Sequence, residues 1–178
     1  MLPAYRLIVA GLNLLVQNGA FDSGPKFEAV AEMVGDDSQV LSQRIVLVQE
    51  PGDWARLWNE HKAVMANAPS NVNVTNKDMA VPNVDFRKTV IVGVFGGQTR
   101  DIANYRVVLA GESQKAAILR IQPTVLPRGG GGLLTQPFLM AVVSRSKKPL
   151  EIQMPFEQGG KVVWRTVATF KPTLKRGS

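Results

Sequence analysis

Reactive chemistry has few residues to draw on in this chain. There is no cysteine and only one histidine, which excludes disulfides, thiolate metal sites and a cysteine nucleophile. A catalytic zinc site usually takes two or three histidines, and a Ser-His-Asp triad would have to recruit His61 from a predicted helix. The acidic residues are scattered singly, so spacing marks no carboxylate pair for acid-base work. Arg128 and the four glycines 129–132 could cradle a phosphate on backbone N–H groups. They lack the Gly-x-x-x-x-Gly-Lys-Ser/Thr and Gly-x-Gly-x-x-Gly patterns, and the next predicted element is a strand. A tip between strands is therefore the default reading. The expectation is a non-enzymatic chain with no catalytic residue, no cofactor and no metal.

Charge is the next resource. The net charge of +7 is uneven: residues 1–114 carry 10 Lys/Arg against 12 Asp/Glu, and residues 115–178 carry 11 against 2. Such asymmetry suits nucleic acid, anionic lipid or an acidic partner protein, or simply a solubilising face. The 178 residues suffice for one main domain with a proper core, and no apolar run is long enough to span a bilayer as a helix.

The elements that must position these residues read as mainly β, in the α+β sense: an antiparallel sandwich or barrel-like sheet with one amphipathic helix packed on it. The organising stretch is 82–110, where Val90–Phe95 is an apolar run suited to a strand covered on both faces. Gly96-Gly97 would turn the chain into a return strand from Tyr105, making a hairpin. Residues 51–66 carry the helix signal, with Pro51 in the first turn, Asp53 near the N-terminus, and Trp54, Leu57, Trp58, His61, Val64 and Met65 on one face. Trp54 and Trp58 are expected as core anchors, and His61 as a half-buried packing residue with a satisfied nitrogen.

Further strands are expected at 26–34, where helical spacing and alternation both fit and strand is preferred, and at Gln43–Val48, Ala116–Gln122 and 136–145. A last hairpin is expected at Leu150–Phe156 and Lys161–Phe170, joined through Glu157–Gly160. Residues 5–10 and 12–17 read as two strands, or one long strand kinked at Gly11, in preference to a signal peptide. Residues 67–83 read as a long loop, and Asp85 as a backbone anchor at the start of its strand. The domains follow as a strand pair or extension at 1–40, a β-rich domain at 41–155, and a hairpin strand with a basic tail at 156–178.

Four stretches, VLVQEPGDWARLWNEH at 46–61, VPNVDFRKTVIVGVFGG at 81–97, NYRVVLAG at 104–111 and 117–145 with its Pro-aromatic step, resemble the PrcB family of protease-complex subunits. Together they cover 70 of the 178 residues. The resemblance places Trp54, Trp58, Asp85, Phe86, Phe95, Gly96, Tyr105, Pro127, Pro137 and Phe138 on the family pattern. Trp54, Trp58, Asp85, Phe86 and Gly96 are expected as its structural residues. Ala103-Asn104-Tyr105 departs from the Gly-Gly-Tyr step usual there. The resemblance implies an exported or surface-associated domain, extracytoplasmic in a cell envelope or secreted, that binds and stabilises a protein partner and has no catalytic residues.

The leading expectation is thus a binding subunit of an envelope or protease complex. Its contact surface would combine the loop tips 97–104 and 127–135 with the basic turn 145–148, through Arg100, Asn104, Tyr105, Arg128, Arg145, Lys147 and Lys148. A second reading is a nucleic-acid or anionic-polymer binder working through the basic last third, where Trp164 is the only tryptophan among the late cations. A third is a protease-inhibitor-like module, loosely like chagasin-type inhibitors, whose loops near Tyr105, Arg128–Gly132 and Gln136–Phe138 would plug a cleft. An N-terminal strand pair could also exchange between copies in a homo-oligomer.

Overall fold

Alternation along the run Val90–Phe95 sets the architecture. In the computed structural model, which describes residues 27–63, 80–126 and 134–172, Val90, Val92 and Val94 point into one apolar cluster, and Ile91 and Phe95 into another. A strand with period-two side chains that is apolar on both faces must be covered twice. One cover is a second sheet and the other is the helix.

The described strands are β1 (Ala29–Gly35), β2 (Arg44–Val48), β3 (Thr89–Phe95), β4 (Ile102–Glu112), β5 (Ala117–Val125), β6 (Phe138–Ser144), β7 (Leu150–Gln158) and β8 (Lys161–Phe170), with α1 (Pro51–His61) after β2. They form two four-stranded sheets, ordered β1-β6-β3-β2 and β4-β5-β7-β8. The fold is a β-sandwich with one helix on it and is not a closed barrel. The first sheet is antiparallel throughout.

Between the sheets lie Val92, Leu139, Ala141, Leu119, Ile121 and Ile152, all fully buried. Outside the first sheet, α1 lays Trp54, Leu57 and Trp58 on Ile91, Phe95, Phe138 and Met140. Trp54 stays buried because its Nε1 donates to the Pro82 carbonyl at 2.8 Å. Gly93 makes room for this cover: a Cβ there would come within 2.9 Å of Val46 and 3.4 Å of Leu57. Among the described residues the second sheet is covered on one face only, and its strands alternate accordingly. In β5, Ala117, Leu119 and Ile121 are buried, while Ile118, Arg120 and Gln122 are less so.

Four expectations need correction. The run 82–110 is not a hairpin: β3 and β4 lie in different sheets. Both sides of β3 are taken by β2 and β6, so the chain turns at Gly97, whose φ is +63°, and crosses to the other layer. The sandwich is not wholly antiparallel, because β5 and β7 run parallel. The strand between them in sequence, β6, belongs to the opposite sheet, so β7 returns to the second sheet in the direction of β5. The helix α1 ends at His61 with Lys62 as its C-cap, short of residue 66; Val64 and Met65 themselves lie outside the described residues. His61 is buried at 2% exposure instead of half-buried, with only Nδ1 placed to bond, 3.0 Å from the Ser38 hydroxyl. Its Nε2 is buried and has no hydrogen-bond partner among the described residues.

The strands expected at 5–10 and 12–17 also lie outside the described residues, as do the glycines 129–132 and most of the loop 67–83. The boundary drawn between 40 and 41 follows β1, an edge strand of the first sheet, and the one between 155 and 156 falls inside β7.

Candidate functional site

The residues expected to form one contact surface are divided by the fold. β3 pairs with β6 so that Thr89 faces Ser144 and Phe95 faces Phe138. The turn after β6 therefore sits at one end of the sheet and the loop after β3 at the other, roughly 20 Å away for a seven-residue strand.

At the far end, loop 97–101 is laced to the approach to β6. Thr99 and Thr135 exchange backbone hydrogen bonds, and the Leu126 N–H donates to Asp101. Thr135 Oγ1 also donates to the Ile102 carbonyl at 2.7 Å. Arg100 is exposed at this tip, and Asn104 is half-buried opposite Thr124. Tyr105 is 3% exposed and belongs to the core between the sheets, so it is not available as a contact residue. Burial pushes its hydroxyl pKa up. Gly96 is what lets it in, since a Cβ there would meet the Tyr105 hydroxyl and Pro137, each at 2.7 Å. Arg128 lies outside the described residues.

At the near end, Arg145 is a structural clasp. Its Nε donates to the Phe86 carbonyl at 2.6 Å and its Nη2 to the Gln49 carbonyl at 2.7 Å. Its backbone N–H donates to Lys88. The guanidinium fork thus ties the turn after β6 to the end of β2 and the start of β3. Asp85 works at the same corner: its carboxylate accepts the Arg87 N–H and Nε, each at 3.1 Å. Those Arg87 contacts hold the carboxyl below the usual carboxylate range. Lys148 pairs with Glu112 at 3.2 Å and donates to the Ser113 carbonyl. Of the basic turn, Lys147 is the exposed cation.

The surface that sequence reasoning passed over is the hairpin of β7 and β8. β5 pairs with β7 only from Ala117 to Arg120. Beyond that point Pro123 and Pro155, which have no N–H to donate, fall in the two strands. Met154–Gln158 and Lys161–Arg165 therefore continue as a two-stranded ribbon. Its tip is a two-residue turn with Gly159 and Gly160 at φ +59° and +72°, the mirror-image turn that matches strand twist.

Ladder partners share a face, so Phe156 and Val163 lie on one side, and Pro155 and Trp164 on the other. Phe156 and Val162 remain 42% and 68% exposed. Arg165 sits 5.5 Å over Phe156, and Arg120 sits 5.2 Å over Trp164. Arg120 is itself held by Gln153 at 3.0 Å, so a face of the only tryptophan among the late cations is already taken by one of them.

β8 is the edge of the second sheet, ten residues long, and none of them is buried. On the opposite side of the sandwich the edge strands β1 and β4 lie together, where Glu32 accepts the Val107 N–H at 3.3 Å. At the end of the sandwich where β8 finishes there is a slot of about 40 Å³, with Phe27, Leu47, Val90, Leu150 and Phe170 as apolar walls and Arg145, Lys148 and Lys171 among its polar lining. That volume admits on the order of two or three waters, or the end of one short side chain. The legible signal was a ten-residue strand after a Gly-Gly turn, without an acid and with Lys161 and Arg165 as its cations.

The titratable groups with displaced ionisation each have a structural partner. Desolvation raises Glu32, partly offset by the Val107 N–H, and burial with the nearby Lys62 lowers His61 to about 3. Among the described residues no three His, Cys, Asp or Glu gather as a metal-holding group, and no helix is long and apolar enough to cross a membrane. Comparison of the chain with family models, with curated proteins and with solved structures finds no match.

Proposed function

We propose that this chain is a non-catalytic domain that binds and stabilises another protein, in the extracytoplasmic setting that its resemblance to PrcB subunits implies. The observation that carries this reading is β8: a ten-residue edge strand with no buried residue, on a projecting ribbon with exposed Phe156 and Val162. An exposed edge offers a row of backbone donors and acceptors that soluble domains ordinarily shield, and strand addition is a recurring mode of protein recognition. The displaced ionisable groups support the non-catalytic half, because Glu32, His61, Asp85 and Tyr105 are each engaged in packing or backbone contacts. Cross-linking and co-purification at native abundance test it. A partner should come down with the chain and cross-link to β7 or β8, and a chain that always elutes alone defeats the reading.

A further inference from the structure

We infer that the open edge of β8 accepts an extended, acidic segment of the partner as an additional strand, an inference that rests on the protein-binding reading above and specifies its ligand. Three observations converge. Among the described residues β8 pairs only with β7, leaving its other edge along ten residues for a ladder. That length, roughly 33 Å at the rise of an extended chain, accommodates four or five alternate hydrogen-bonded pairs.

Charge then chooses among occupants. β8 carries Lys161 and Arg165, both exposed, with Lys171 just beyond it and no acidic residue of its own. A second copy pairing edge to edge would gather two sets of these cations along one seam, and like charges across a ladder destabilise it. An acidic strand gains there instead. The nearest acids, Glu151 and Glu157, belong to β7, and Glu151 already accepts from Thr166 and Gln153.

The third observation is the slot at the Phe170 end of β8, lined also by Leu47, Val90 and Leu150. A strand laid along β8 ends beside it. Its apolar walls suit one short apolar side chain, and the exposed Lys171 at its rim suits a flanking carboxylate.

The experiment uses the full chain and three labelled eight-residue peptides, capped at both ends: alternating Glu and Val, the same with Lys for Glu, and the first with alternate amides N-methylated. In fluorescence anisotropy the Glu-Val peptide should bind, and the other two should bind at least roughly tenfold more weakly. The double variant K161E/R165E, altered only at exposed positions, should retain the native circular dichroism spectrum and invert the charge preference. Equal binding of the N-methylated peptide, equal binding of the Lys peptide, or no binding by any of them overturns the inference.

A Thr166→Cys variant, the only thiol in the chain, reports the competing occupants. A disulfide between copies, or photo-cross-links from that thiol into residues 5–17, would assign the edge to a second copy or to this chain, and would overturn the inference too. A natural partner that K161E/R165E still captures would remove the acidic strand while leaving the protein-binding function standing; absence of any partner removes both.

Discussion

His61 is where a single residue sets a solution property. Its ring is buried against Phe138, with centroids 4.3 Å apart, and only Nδ1 meets a hydroxyl. Desolvation first, then the charge of Lys62, lowers its pKa from 6.5 to about 3. The unfolded chain therefore binds the proton that the folded one refuses, so stability is full above pH 6.5 and declines as pH falls toward 3. Between pH 6.5 and 4.5 the loss should be about 2 kcal/mol. Urea midpoints across that range should fall for the natural chain and stay flatter in His61→Leu; parallel profiles would refute the assignment. Glu32, raised by burial, titrates with the opposite sign, so the comparison between the two chains isolates the histidine.

Arg145 gives a second test at this scale. Two charge-assisted bonds to carbonyls of separate loops should make Arg145→Ala cost about 2–4 kcal/mol. Arg145→Lys should recover little, because one ammonium cannot span both acceptors. Lys147→Ala should change stability by less than about 0.5 kcal/mol. Chemical denaturation of the three variants decides whether the turn after β6 is scaffold or contact surface.

Among the elements, the β7–β8 ribbon depends on its turn. Nothing lies within 4 Å of a Cβ at Gly160, yet its φ is +72°. Gly160→Val should therefore destabilise through the backbone alone, by about 1–2 kcal/mol, and Gly159→Asn should be tolerated. Gly96→Ala should fail for the other reason, through overlap with Pro137 and the Tyr105 hydroxyl. Thermal melts that rank Gly159→Asn as the mildest of the three would support this division, and one that ranks it worst would not.

Local pattern carried the elements well. β3, β6, α1 and the β7–β8 hairpin follow from runs and periodicities that neighbouring residues set. Pairing was not legible, because alternation tells which face of β4 is buried and not which strand lies beside it. Tyr105 shares its face with Val107 and could have been assigned to the core on parity. Arg145 could not, since its acceptors lie 59 and 96 residues away and are backbone atoms. The edge status of β8 is likewise a property of the sheet order and of no residue in it.

For the whole molecule, the basic excess of the last third follows from topology. Residues 115–172 supply β5, β7 and β8 to the second sheet, and only β6 to the first. Their described cations therefore cluster on the second sheet and in the turn after β6. If that charge steers a partner, raising salt from 50 to 300 mM should slow association more than it speeds dissociation, as stopped-flow would show. Rates indifferent to salt would assign the charge to solubility alone.

The position of β6 has a consequence for how the molecule comes into being. It is the middle strand between β1 and β3, yet it is sixth of the eight described strands to emerge from a ribosome. Until Phe138–Ser144 arrives, β1 and β3 lack their shared neighbour, and contacts so distant along the chain form slowly. A nascent chain of this kind can close β2 on β3 and β4 on β5 early, while β1 waits without a sheet partner for a strand made more than a hundred residues later.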